Sequence, residues 1–354
     1  MEKNYITSLT GLRTIAASMV FFHHFNPFPK KTLYFGVVNE FHIGVTIFFV
    51  LSGFLIGLRY SDKEINISKY FINRLARIYP VFFLFTVITF LVSPPSGIFE
   101  SILNFTMLKG LFDEYKFSGI AQGWTLTVEE FFYAFALILF PLVKRKQIFF
   151  IFLIPFFLLG ITFFFKSIAP QYSFHGFLKD YDFIRNYTFF GRSFEFISGF
   201  LLSYYLPKIN YKTKYITWIG VFGIIISCIS LHFVKGNESV GVITLPGQMI
   251  NNYILPIFGI IPLIYGLVKE KTIISEILST KIFELLGKSS YVFYIIHMGV
   301  VQVFVNKFFN NYFFVFLIIQ VLSIIIFKTF EEPMNKFIKR TFKGKNKLQT
   351  IPTK

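Results

Sequence analysis

The chain has 354 residues, of which 54% are hydrophobic, 21% aromatic and only 15% charged, a composition too apolar for a water-soluble globule and suited to a bilayer. Its formal charge of +17 is spread over short connections and the C-terminal end rather than along one basic face, which argues against a nucleic-acid partner. The one cysteine, Cys228, lies in an apolar run, so neither an internal disulfide nor a cysteine-based metal site is expected.

Ten segments meet or approach the ~20 apolar residues that a membrane span needs. They lie near 5–25, 42–59, 71–92, 124–143, 148–166, 187–206, 215–234, 249–268, 289–307 and 312–330. The predicted fold is therefore all-α, a polytopic membrane bundle of about ten transmembrane helices. The first run contains Arg13 and two histidines and has no small-residue cleavage site after a short apolar core, so it is read as a retained span. No repeat or low-complexity linker is visible, and the reading is one membrane domain over 1–335 with a basic tail over 336–354.

With the N-terminus inside, the inner connections hold about 24 of the 35 Lys and Arg residues, which predicts that both termini are cytosolic. The outer connections near 93–122 and 167–186 are the longest. The first opens with Ser93-Pro94-Pro95 and then turns apolar, as an interfacial or re-entrant helix would.

Arg13 and His24 are eleven positions apart, and eleven helical steps return to within about 20° of the same face after a rise of about 16 Å. They would line one cavity at two depths, with His23 turned about 80° aside. The plainer alternative is snorkelling of both ends toward the interfaces. Trp124-Thr125-Leu126-Thr127-Val128-Glu129-Glu130 opens the fourth span, and a carboxylate there could orient a histidine base or simply favour the helix N-terminus.

Arg74 and Arg77 sit three apart at the start of the third span. Two guanidinium forks at a membrane mouth suit phosphate groups, or they serve as inside-positive anchors. Arg192 and Glu195, also three apart, read as an ion pair within a span. The small residues of 44–54 suit close helix packing, and His297 is an intramembrane histidine that fits a core or a catalytic role.

In order, these segments resemble the acyltransferase-3 family of bacterial integral membrane acyltransferases, which modify cell-surface carbohydrates. The resemblance rests on Leu9-Thr10-Gly11-Leu12-Arg13 with His24, the segment 48–54, Arg74 with Arg77, and the run 124–133. It continues through Arg192, Glu195-Phe196 and Gly199, then Gly287-Lys288-Ser289-Ser290-Tyr291 leading to His297, and Glu332-Pro333. Thr125 and Thr127 stand where the family often has serine, and no extracytoplasmic hydrolase-like domain is expected.

The resemblance implies a membrane O-acyltransferase, of O-acetyltransferase type, in a bacterial inner membrane. It implies cytosolic acyl-CoA, most often acetyl-CoA, as donor substrate and a hydroxyl of a lipid-linked or cell-surface glycan as acceptor, with no resident cofactor and no metal. It makes His24 the leading catalytic residue, Arg13 its partner and Glu129 an orienter. Arg74 and Arg77 become coenzyme-phosphate ligands, and Glu130, Trp124, Arg192, Glu195 and His297 substrate-binding or structural candidates. A proton-coupled transporter or flippase of a glycan intermediate also accounts for buried Arg, Glu and His, and a scaffold of a glycan-assembly complex is a third class.

Overall fold

The computed structural model describes residues 5–60, 64–169, 174–209 and 214–348, with side chains as far as 342. Lys3, Lys63, Lys212 and the last six residues of the expected tail lie outside the described residues. The described chain is a bundle of helices, and apart from an isolated bridge between Phe112 and Phe177 no β-structure occurs among the described residues.

Among the described residues, seven helices are long and apolar enough to cross a membrane: Leu33–Tyr60, Ile67–Val92, Ala121–Lys144, Ile148–Ile168, Ile216–Val234, Leu245–Lys269 and Tyr312–Phe342. An eighth unit joins Lys281–Ile296 to Val300–Asn306 through a bend of 88°. The chain is a multi-pass membrane protein. The other two expected spans are the helices Thr7–His24 and Phe189–Tyr205, which are shorter or more polar because they face protein instead of lipid. Ile148–Ile168 is the opposite case, with Phe149, Phe157, Phe164 and Phe165 all more than 60% exposed, as a helix bathed in acyl chains should be.

We number α1 (Thr7–His24), α2 (Leu33–Asn39), α3 (Gly44–Tyr60), α4 (Ile67–Val92), α5 (Ile98–Phe105) and α6 (Trp124–Lys144). Then come α7 (Ile148–Ile168), α8 (Tyr181–Tyr187), α9 (Phe189–Tyr205), α10 (Ile216–Val234), α11 (Leu245–Lys269), α12 (Ile273–Leu278) and α13 (Lys281–Ile296). The last are α14 (Val300–Asn306), α15 (Tyr312–Ile326) and α16 (Glu332–Leu348). Two hydrophobic cores flank the centre, and α1 and α3 supply residues to both.

The small residues of α3 do what their spacing suggests. A Cβ on Gly53 would strike the main-chain oxygen of Phe196, and one on Gly199 would strike that of Val50, so α3 and α9 cross with their backbones in contact. That crossing carries Arg192 and Glu195 into the bundle, 4% and 0% exposed.

The segment 289–307, read as one span, is two helices. α13 stops at His297, and Gly299 turns the chain with φ of +85°, a conformation that residues with a Cβ rarely adopt. α11 contains two π-helical stretches, Ile250–Ile254 and Pro256–Ile260, the second beginning at a proline that cannot donate to the helical ladder. The two longest connections meet each other: beyond α5, Asp113 accepts from Lys179 at 2.9 Å and Glu114 lies 2.8 Å from His175. The stretch read as a tail starts as helix α16, which runs on from α15 through a π turn at Phe327–Glu331.

Candidate active site

Three cavities lie in file through the bundle. The first, of about 330 Å³, is a mouth lined by Arg13, Arg59, Arg74, Arg77, Lys288 and Glu331. The second, of about 70 Å³, shares Arg13, Arg74 and Arg77 with the mouth and adds Ser52, Glu129, Tyr133 and Tyr294. The third, of about 200 Å³, shares Val45 and Tyr294 with the second and is lined by His23, His24, His42, Trp124 and Arg192. Arg13 and His24, expected to line one cavity at two depths, line separate ones: Arg13 the first and second, His24 the third.

Arg13, Arg74 and Arg77 at the mouth form no ion pair with a carboxylate among the described residues. Arg74, near the start of α4, is held by aromatic rings: its guanidinium carbon lies 5.5, 5.7 and 5.3 Å from the rings of Tyr60, Tyr70 and Tyr133, and Nη2 donates to the Tyr60 hydroxyl at 3.3 Å. Arg13 lies 6.0 Å from the Phe48 ring, and its Nε is buried with no hydrogen-bond partner. A buried guanidinium that keeps donors unspent next to a cavity is suited to an anion that arrives from outside.

Glu129 accepts from Ser52 Oγ at 3.1 Å and from the Tyr133 hydroxyl one turn further along α6. It belongs to the middle cavity, whereas His24 belongs to the third. Its hydrogen-bond partners are thus a serine and a tyrosine, and the structure does not bring it onto His24. Glu130 is half-buried, with one oxygen lacking a partner.

His24 is the exposed member of its group. Its ring centroid is 4.7 Å from that of His23 and 5.6 Å from that of His297. His297 is fully buried at the end of α13, with Nδ1 2.8 Å from the Tyr294 carbonyl oxygen, and so carries its proton there and leaves Nε2 as an unpartnered acceptor. His23 lines the same cavity despite its different phase on α1, and its Nδ1 lies 2.6 Å from the Asn39 carbonyl oxygen. Three histidines share the cavity, yet no group of three ligand-type side chains converges as a metal site among the described residues.

Arg192 and Glu195 form the ion pair that their spacing suggested, with Nε to Oε2 at 2.7 Å. Arg192 Nη2 also donates to Thr46 at 3.0 Å, and Thr46 donates to Asn251 at 2.9 Å, which ties α9 to α3 and to the π-helical part of α11. Trp124 packs edge-on against Tyr187, with centroids 5.0 Å apart.

The sequence reading missed Ser52, Tyr133, Tyr294, Gln122 and Glu331, all of which line these cavities. Glu331, 5% exposed at the π turn before α16, could have been noticed as a carboxylate at the end of a strongly apolar run. Ser52 and Tyr133 fall inside the segments 48–54 and 124–133 that carry the family resemblance, whereas Gln122 and Tyr294 carry no signal separable from ordinary helix packing.

A family profile described as an acyltransferase domain matches residues 6–328. The chain belongs to this acyltransferase family. A protein of Acidianus two-tailed virus, provisionally named an acetyltransferase, is 32% identical over 150 residues, covering 41% of this chain and 43% of its own. A Staphylococcus aureus (strain COL) protein provisionally named an O-acetyltransferase is 26% identical over 349 residues, 87% of this chain and 52% of its own. The O-acetyltransferase OatA of Staphylococcus aureus (strain NCTC 8325) is 25% identical over 347 residues, 86% of this chain and 52% of its own. The chain thus spans about half the length of these curated relatives. No solved structure matches.

Proposed function

We propose that this protein is a membrane O-acyltransferase, of the O-acetyltransferase type its relatives are named for, that moves an acyl group from acyl-CoA to a sugar hydroxyl across the bilayer. One observation carries the reading: a mouth where Arg13, Arg74 and Arg77 form no ion pair with a carboxylate adjoins a small cavity, which in turn adjoins the cavity of His24. On this reading the mouth faces the cytosol, Arg74 and Arg77 hold coenzyme phosphates, and Arg13 receives the deeper part of the donor.

The acceptor oxygen then attacks the thioester carbonyl carbon while His24 removes its proton, the carbon–sulfur bond breaks, and the coenzyme leaves as a thiolate that is reprotonated. Direct transfer needs no acylated enzyme, because the rise of about 16 Å between Arg13 and His24 can be bridged by an extended donor arm. An acyl-histidine relay is the other form of the same chemistry. The experiment is transfer of labelled acetyl from acetyl-CoA by purified protein, together with a search for alkali-labile esters on surface glycans of cells with and without the gene. Label that never leaves acetyl-CoA, in the presence of any glycan fraction, would sink the reading in favour of a carrier.

A further inference from the structure

The third cavity contains two side-chain amides whose orientation is fixed by the backbone. Gln122, 4% exposed just before α6, donates its amide nitrogen to the carbonyl oxygens of Tyr294 and Ile295 at 2.9 and 2.6 Å. Asn186, in α8, donates its amide nitrogen to the carbonyl oxygen of Val242 at 3.1 Å. Only the NH₂ end of an amide can face a carbonyl, so in both residues the oxygen is left over. Both oxygens are buried and unpartnered, and both residues line the cavity.

A buried amide oxygen with no partner destabilises the empty site, and a hydroxyl that donates to it recovers that loss. Three aromatic residues border the same space. Phe117 and Trp124 pack on Tyr187 at 5.7 and 5.0 Å, and Phe117 is 51% exposed. Apolar ring faces beside hydrogen-bond acceptors match the two surfaces of a pyranose, its C–H face and its hydroxyl edge.

Three cations in or beside this cavity are already paired. Arg192 is paired with Glu195, Arg185 with Asp182, and Lys116 with Asp113. Lys116 also lies 4.9 and 5.2 Å from the rings of Phe117 and Tyr187. This is the reverse of the mouth, where Arg13, Arg74 and Arg77 have no such partners.

Resting on the acyltransferase reading, we propose that Gln122 and Asn186, with the Phe117–Tyr187–Trp124 rim, form the acceptor subsite and select an uncharged, hydroxyl-donating sugar ring over an anionic one. An anionic ring would bring its carboxylate against two acceptor oxygens and find no free cation among these three pairs. A site built to accept from hydroxyls disfavours a ring whose donor at the contacting position is replaced by a carboxylate.

The test uses binding, so that it does not depend on turnover. Trp124 is one of two tryptophans in the chain, and a Trp218→Phe variant in nanodiscs isolates its fluorescence. Titration with hexyl β-D-glucopyranoside should change Trp124 emission with an affinity at least tenfold tighter than hexyl β-D-glucopyranosiduronate. Gln122→Leu and Asn186→Leu should each weaken glucoside binding about tenfold, as expected for a lost hydrogen bond to a buried amide, and leave acetyl-CoA binding unchanged. The glucoside–glucuronide comparison needs neither amide variant, so it holds if those variants fail to fold. Equal or tighter binding of the glucuronide, or no response to either ring, overturns the subsite. Selective glucoside binding without any acetyl transfer would instead overturn the acyltransferase reading while keeping the sugar site.

Discussion

Ser52 Oγ donates to Glu129 Oε1 across 3.1 Å, which fixes the small-residue segment of α3 to the carboxylate of α6 in the middle of the bundle. The family motifs carrying these two residues thus meet at the smallest of the three cavities, between the arginines and the histidines. Shortening Ser52 to alanine leaves Glu129 one donor, Tyr133. The expected outcome is a loss of stability of about 1 kcal/mol, checked as a lower apparent Tm in detergent with the bundle still inserted.

His24→Ala should reduce acyl transfer by on the order of a hundredfold or more, the usual contribution of a general base, at unchanged membrane level. His23→Ala should keep a substantial fraction, since its ring nitrogen is engaged with the Asn39 carbonyl and His24 is the exposed member of the pair. Transfer in membranes, normalised to an epitope tag, decides the matter. Near wild-type activity of the His24 variant would remove its catalytic assignment.

Arg77→Ala should raise the KM for acyl-CoA more than it lowers kcat, because it removes a guanidinium from the mouth. Arg74→Ala should do the same and also lower stability, since the Arg74 guanidinium is stacked against three tyrosines. Donor kinetics that are unchanged in both variants would return the pair to a purely anchoring role.

The inside-positive distribution predicts that position 340 and the 59–77 connection are cytosolic, and that 167–186 is outside. In a Cys228→Ala background, Arg340→Cys should react with an impermeant maleimide only after the cells are opened. Labelling in intact cells would invert the topology and place the arginine mouth on the outer side.

Lys109 lies outside the membrane-crossing helices, fully buried, and donates to the carbonyl oxygens of Ser118 and Ile120. Burial pushes its ammonium down to about 7 from the ordinary 10.5. Between those two values the unfolded chain holds a proton that the folded chain lacks, so stability should rise with pH across that window and level off below it. Apparent Tm measured from pH 7 to 10 should climb in the parent protein and climb less in Lys109→Met.

The sequence by itself determined the solvent and the helical class, and it singled out several of the residues that line the cavities. Hydropathy can be read one segment at a time, because each backbone polar group in lipid must be satisfied within its own helix. It also determined that Arg13 and His24 share one helix, though not that they would line separate cavities, and it determined the Arg192–Glu195 pair, whose helical spacing is fixed. Tertiary structure alone decided which helices are wrapped in protein rather than lipid, that Glu129 belongs with Ser52 and Tyr133 and not with His24, and that His297 ends a helix instead of sitting within one. Those facts depend on contacts between helices distant in the chain, and on a glycine turn whose effect is seen only once its neighbours are packed. The Gln122 and Asn186 oxygens belong there too, because an amide becomes a directed acceptor only when carbonyls from other helices and loops occupy its nitrogen.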